Sequence, residues 1–135
     1  MRLFLVRHAD AEPGEPDELR ALTAHGRQQA RDVGARLAAE GAAGAAVVTS
    51  PLLRARETAE EIARALGTTA EPDDRLAPGA TADSVREAAA ERGDSATLVA
   101  VGHQPDCGRI AAELTAGPEP PFPKAGVVAI DLTAV

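Results

Sequence analysis

The sequence predicts an α/β fold: a three-layer αβα domain around a mostly parallel central sheet. Three observations carry this. Short apolar runs of strand length, Leu3-Phe4-Leu5-Val6 and Leu98-Val99-Ala100-Val101, lack polar alternation, as strands covered on both faces do. Segments with apolar residues at helical spacing lie between such runs. The breaks are short and marked by Gly, Pro and capping residues. A chain of 135 residues fits one domain, 1–135, and shows neither an internal repeat nor a dividing linker.

Each element has its own signal. Leu3 to Val6 is a buried strand that stops at Arg7 and His8, and Ala11 to Leu22 is a Pro-containing loop. Thr23 is the expected N-cap of a helix over 24–40, with Ala30, Val33, Leu37 and Ala38 on its apolar face. Gly41 to Gly44 ends it, and 45–49 is the second strand. Ser50-Pro51 reads as an N-cap followed by Pro at the first helical position. The helix over 51–66 carries a stripe of Ala55, Ala59, Ile62 and Leu66, with Glu60 and Arg64 as an exposed i,i+4 pair. Gly67 closes it.

A short strand over 68–71 and a loop to Thr81 follow. Asp83 or Ser84 is the expected cap of a short helix running to about Arg92. Strand 97–101 ends at Gly102-His103, and Gln104-Pro105-Asp106 leads into a helix stopped by Gly117-Pro118. Gly126 to Leu132 is the last strand.

Composition narrows the function classes. The chain has two Phe, no Tyr and no Trp, so Ala, Val and Leu must build the core, and stacking platforms for single-stranded nucleic acid are missing. A formal net charge of -7 argues against a nucleic-acid partner, because phosphate-backbone binders present basic stripes. Cys107 is the single cysteine and has no partner for an internal disulfide or a zinc cluster. No apolar run approaches the ~20 residues of a membrane helix, and Met1-Arg2 leads straight into the first strand. The expectation is a soluble, cytoplasmic, monomeric protein with no membrane partner.

In open α/β sheets ligands bind beyond the carboxyl ends of the strands. Arg7 and His8 follow the first strand, Arg54 lies one turn into the helix after the second, and His103 follows the fourth. Two Arg and two His converging at one sheet edge form a cationic pocket in an acidic protein. Helix N-termini near Pro51 and Pro105 add oriented N–H groups. Such a pocket suits a phosphoryl dianion: a neutral imidazole attacks phosphorus while Arg forks and a protonated second His neutralise the equatorial oxygens. With four protein groups in that role no metal or other cofactor is required.

The motifs sharpen this. Leu5-Val6-Arg7-His8-Ala9 resembles the R-H-G signature of the histidine phosphatase (phosphoglycerate mutase-like) superfamily. Leu22 to Ala30 is similar to its L-T-x-x-G-x-x-Q-A segment, Ser50 to Ala59 to its S-P-x-x-R-A-x-x-T-A segment, and Val101-Gly102-His103 to its late V-x-H. Together they stand in the family's order and cover nearly the whole chain. The resemblance implies His8 as nucleophile, with Arg7, Arg54 and His103 as the phosphate pocket. Ser50 is expected both as a helix cap and as a phosphate contact. The short chain, with little to spare for a lid, resembles the small SixA-type branch, which implies a phosphohistidine protein as substrate.

Two positions depart from the pattern. Ala9 stands where the family has Gly, a change that costs backbone freedom but little volume. No general acid is evident: Leu76-Ala77-Pro78-Gly79 lacks the Glu of mutase-like members, and Gln104 follows the second His where acid-phosphatase-like members have Asp. Asp106, Asp73 and Asp74 are the candidates. An imidazole leaving group, titrating near ~6.5, needs less help than an alkoxide, so a missing acid favours phosphohistidine over phosphate esters.

Two rival readings stay open: a phosphomonoesterase acting on a small phosphorylated metabolite, and a phosphate-recognising module without turnover. Bland roles are expected elsewhere: Arg56 in plain solvent, His25 on the surface, and Cys107 as a small buried helix residue. His8, His25 and His103 lack the spacing of a zinc site.

Overall fold

The structure, a computed structural model, describes residues 1–132. Five strands, β1 (Arg2–Arg7), β2 (Ala46–Thr49), β3 (Ala70–Pro72), β4 (Thr97–Gly102) and β5 (Val127–Asp131), form one sheet in the order β3-β2-β4-β1-β5. The first four are parallel and β5 runs antiparallel to β1. The mostly parallel αβα architecture is as the sequence predicts.

The unbroken apolar runs are explained by helices on both faces. Successive residues of β1 point to opposite sides: Phe4 and Val6 pack with helices α1 (Ala24–Leu37) and α2 (Leu53–Leu66). Leu3 and Leu5 pack with α3 (Ala82–Ala90) and α4 (Asp106–Thr115). Strand β4 divides likewise, Val99 and Val101 to the first layer and Leu98 and Ala100 to the second. No helix among the described residues is long and apolar enough to cross a membrane.

Several boundaries differ from expectation, each for a local reason. α1 ends at Leu37 and passes into a π turn over Ala38–Ala42, because Gly41 takes the left-handed region at φ 90°. α2 starts at Leu53, so Ser50 is not its cap and Pro51 is not its first residue. Instead the Ser50 hydroxyl accepts from the Leu52 N–H at 3.3 Å, a local turn that aims the side chain inward. Thr81, not Asp83 or Ser84, caps α3, in a reciprocal box with Ser84. Arg64 pairs with Glu61 rather than Glu60, and Arg31 of α1 reaches the same buried carboxylate at 2.8 Å. Arg56 is half-buried rather than in plain solvent.

Candidate active site

Strand register assembles the site. Arg7 pairs with Gly102 across β1 and β4, so His8 and His103 leave adjacent strand ends, their rings 5.2 Å apart between centroids. Thr49 pairs with Val101, which places Ser50 on the other side of His103. Beyond these ends lies a cavity of about 300 Å³ lined by Arg7, His8, Arg54 and His103, with Asp17, Arg20 and Lys124 at its wall. Among the described residues four cations thus face one cavity, against the single carboxylate of Asp17.

His8 is held by the loop that follows it. Its Nδ1 lies 2.8 Å from the Ala9 carbonyl, which can only accept, so Nδ1 carries the proton and Nε2 the lone pair. Nε2 has no protein partner among the described residues and is not buried. Burial is the main cause that lowers the His8 pKa to about 4; the Ala9 bond opposes it, and Arg54, Arg7 and Arg20 add to the lowering. His8 is therefore a neutral imidazole at neutral pH.

The motif residues act on this same loop. Thr58, fully buried, accepts from the Ala9 N–H at 3.0 Å and donates to the Arg54 carbonyl at 2.8 Å. Gln29 accepts from the Asp10 N–H at 2.9 Å. Gly26 leaves room for the Asp10 carbonyl, from which any Cβ at that position would lie 2.0 Å away. Ala9 is itself fully buried and has no left-handed φ, so the backbone here does not require glycine.

The arginines are set by neighbours that sequence reading did not single out. Arg54, only 7% exposed, donates from Nη1 to the Asp17 carbonyl at 2.9 Å and from Nη2 to its carboxylate at 3.2 Å. Asp17 begins a 3-10 turn, Asp17–Leu19, and also accepts from Arg20 at 3.0 Å. Arg20 first, then Arg54, hold the Asp17 carboxyl below the usual range. Arg7 donates to the Phe122 carbonyl at 3.1 Å, while its Nε is buried without a partner. Lys124 pairs with Asp10 at 2.7 Å. An Asp and an Arg three apart just ahead of the Leu22-Thr23 motif was the available signal for Asp17 and Arg20.

His103 is 5% exposed, and its Nε2 lies 2.7 Å from the Ser50 hydroxyl. Burial, then the charges of His8 and Arg54, lower its pKa to about 4. In the free protein this site is too buried and too cationic to hold a protonated His103; the expected protonated second histidine belongs to the phosphoryl transition state. Ser50 is fully buried, bonded to His103 and Leu52, and is not among the cavity-lining residues.

None of the three expected acids lines the cavity. Asp73 is bound by Arg75 at 2.7 Å, which keeps its carboxyl below the usual range. Asp74 is exposed in a 3-10 turn, Asp74–Leu76. Asp106 accepts from the Gly79 N–H at 2.7 Å and so pins the neighbouring turn. Gln104 does line the cavity, and its side-chain oxygen accepts from the Gly108 N–H at 2.8 Å. Cys107 is buried, its thiol pushed up to about 12 by burial, which makes it a poor nucleophile. His25 is exposed, and the described residues hold no group of three or more His, Cys, Asp or Glu arranged for a metal.

The model of the histidine phosphatase superfamily (branch 1) matches residues 3–79, which includes β1, β2 and the motif segments that build this loop. The chain belongs to the histidine phosphatase superfamily. A superfamily relative, the phosphohistidine phosphatase SixA of Escherichia coli K12, is 32% identical over 128 residues, spanning 90% of this chain and 79% of that protein. An uncharacterized protein of Picosynechococcus is 39% identical over 124 residues, 87% of this chain and 74% of that one. Among solved structures, the protein histidine phosphatase SixA complexed with tungstate superimposes with a TM-score of 0.88 at 28% identity, covering 98% of this chain and 88% of that one.

Proposed function

We propose that this domain is a phosphohistidine phosphatase whose nucleophile is His8. The observation that carries the reading is the state of His8: neutral, with its Nδ1 tied to Ala9 and its Nε2 open to a cavity lined by four cations. In the first step Nε2 attacks the phosphorus of a phosphorylated histidine. The new bond is P–N and the bond that breaks is P–N, so the transfer is close to balanced. The departing imidazole takes a proton from water at its free nitrogen. In the second step water attacks the phosphorus on His8 and gives its proton to the hydroxide left by the first, the P–N bond breaks, and inorganic phosphate leaves with His8 restored.

The remaining groups stabilise charge. Arg54 has five N–H bonds and commits two to Asp17, which leaves others for the equatorial oxygens. Arg7 supplies a second guanidinium fork, with Arg20 and Lys124 adding positive potential at the wall. Among the described residues Asp17 is the one acid lining the cavity, which supports an imidazole leaving group. Asp17, held ionised by two arginines, is a poor proton donor. The similarity to SixA, named for phosphohistidine, and to a SixA complex with a tetrahedral oxyanion supports the same substrate class.

The test is steady-state hydrolysis of a phosphohistidine peptide beside p-nitrophenyl phosphate. The expected result is a kcat/KM on the phosphoramidate at least about a hundredfold above that on the ester. Fast ester turnover with slow phosphoramidate cleavage would replace this reading with a metabolite phosphatase.

A further inference from the structure

We infer that Ser50 is a positioning residue that fixes His103 in the tautomer with its proton on Nδ1, so that this ring meets the phosphoryl group as a neutral hydrogen-bond donor. The inference deepens the proposed reading of the site and rests on it for its catalytic consequence.

A serine hydroxyl has one hydrogen to give and two lone pairs to receive with. The Ser50 hydroxyl is fully buried and has two partners among the described residues. The Leu52 N–H can only donate, so it occupies a lone pair at 3.3 Å. The other partner is His103 Nε2 at 2.7 Å. If Nε2 carried a proton and donated it, the hydroxyl hydrogen would have no acceptor. Leaving a buried donor unpaired costs about 1–3 kcal/mol. The alternative satisfies every group: Ser50 donates to Nε2, and the ring proton sits on Nδ1.

That choice matters because of where Nδ1 lies. It has no protein partner among the described residues, it is not a buried atom, and His103 lines the cavity. The two histidines are thus set in opposite senses by their local bonds. The Ala9 carbonyl makes His8 an acceptor at its open nitrogen, and the Ser50 hydroxyl makes His103 a donor at its own. A nucleophile needs the first and a phosphoryl oxygen needs the second. With the other tautomer, His103 would present a lone pair to an anion.

The experiment uses the full chain labelled with 15N-histidine. Only three histidines are present, and His25→Gln and His103→Asn assign their signals. Long-range 15N–1H correlation distinguishes a protonated from an unprotonated ring nitrogen. The expected result in the wild type is a protonated Nδ1 and a bare Nε2 at His103. Ser50→Ala is expected to mix the tautomers and to lower kcat on a phosphohistidine peptide by about tenfold or more, with KM little changed. Ser50→Thr, which keeps the hydroxyl, restores both. A wild-type His103 protonated on Nε2 overturns the inference. So does Ser50→Ala with tautomer and kcat unchanged, or with the tautomer mixed and kcat unaffected. If Ser50→Ala does not fold, the wild-type spectrum and Ser50→Thr decide. The spectrum needs no turnover, so a failure of the His8 mechanism would appear separately, as an inactive protein with the His103 tautomer as inferred.

Discussion

Both terminal nitrogens of Arg54 donate to one residue, Asp17: Nη1 to its carbonyl at 2.9 Å and Nη2 to its carboxylate at 3.2 Å. Arg54, proposed above to bind the phosphoryl group, is therefore already facing an anion in the free protein. That anion has two opposed effects. It fixes the guanidinium plane, and it repels a dianion placed beside it.

Asp17→Asn separates them. The amide keeps an oxygen for Arg54 but removes the charge. Inorganic phosphate, assayed as a competitive inhibitor, is expected to bind about three- to tenfold more tightly, a gain of roughly 1 kcal/mol. Asp17→Ala, which also frees Nη2, is expected to lower kcat as well. Unchanged phosphate inhibition in Asp17→Asn would show that the carboxylate has no electrostatic influence on the site.

The two buried imidazoles make a pH prediction with a definite sign. His8 and His103 titrate at about 4 in the folded chain, against ~6.5 when unfolded. Between those values the unfolded state binds protons that the folded state does not. Stability is therefore full above about pH 6.5 and falls as pH drops toward 4. Thermal melts across this window should show that fall, and His8→Gln should flatten part of it. By the same titration kcat/KM should hold from neutral pH down to about 5 and collapse near 4. Loss of kcat/KM already at about pH 6.5 would mean that His8 is not shielded as described.

Thr58→Val tests the support of the His8 loop. The change conserves shape but leaves the Ala9 N–H buried without its acceptor. The expected cost is about 1–3 kcal/mol in denaturant unfolding. A fall in kcat is expected with it, since the Ala9 carbonyl sets the His8 tautomer. Stability and kcat both equal to wild type would remove Thr58 from the account.

Much of this was legible in the sequence because it depends on chain order. Unbroken runs such as Leu3–Val6 announce strands covered on both faces, and a strand that ends in Arg7-His8 places those residues at the carboxyl edge. Their neighbours on the adjacent strand follow from sheet order. What was not legible depends on contacts between distant loops. Asp17 lies 37 residues from Arg54, within a polar, Pro-containing segment that gives no periodic signal. Ser50 met two local rules, cap and pocket contact, but the turn at Leu52 sends its hydroxyl to His103, 53 residues away. Proximity in sequence points to Asp73, Asp74 and Asp106 as acids, but Arg75 and the Gly79 N–H claim two of them.

The most direct test of the central claim is a single-turnover experiment with a phosphohistidine peptide, quenched in alkali to preserve P–N bonds and followed by peptide mapping. The expected result is a transient phosphoryl group on the fragment carrying His8, absent from His8→Ala, which should also fail to turn over. Phosphoryl transfer to another residue, or peptide hydrolysis at the wild-type rate by His8→Ala, would contradict it.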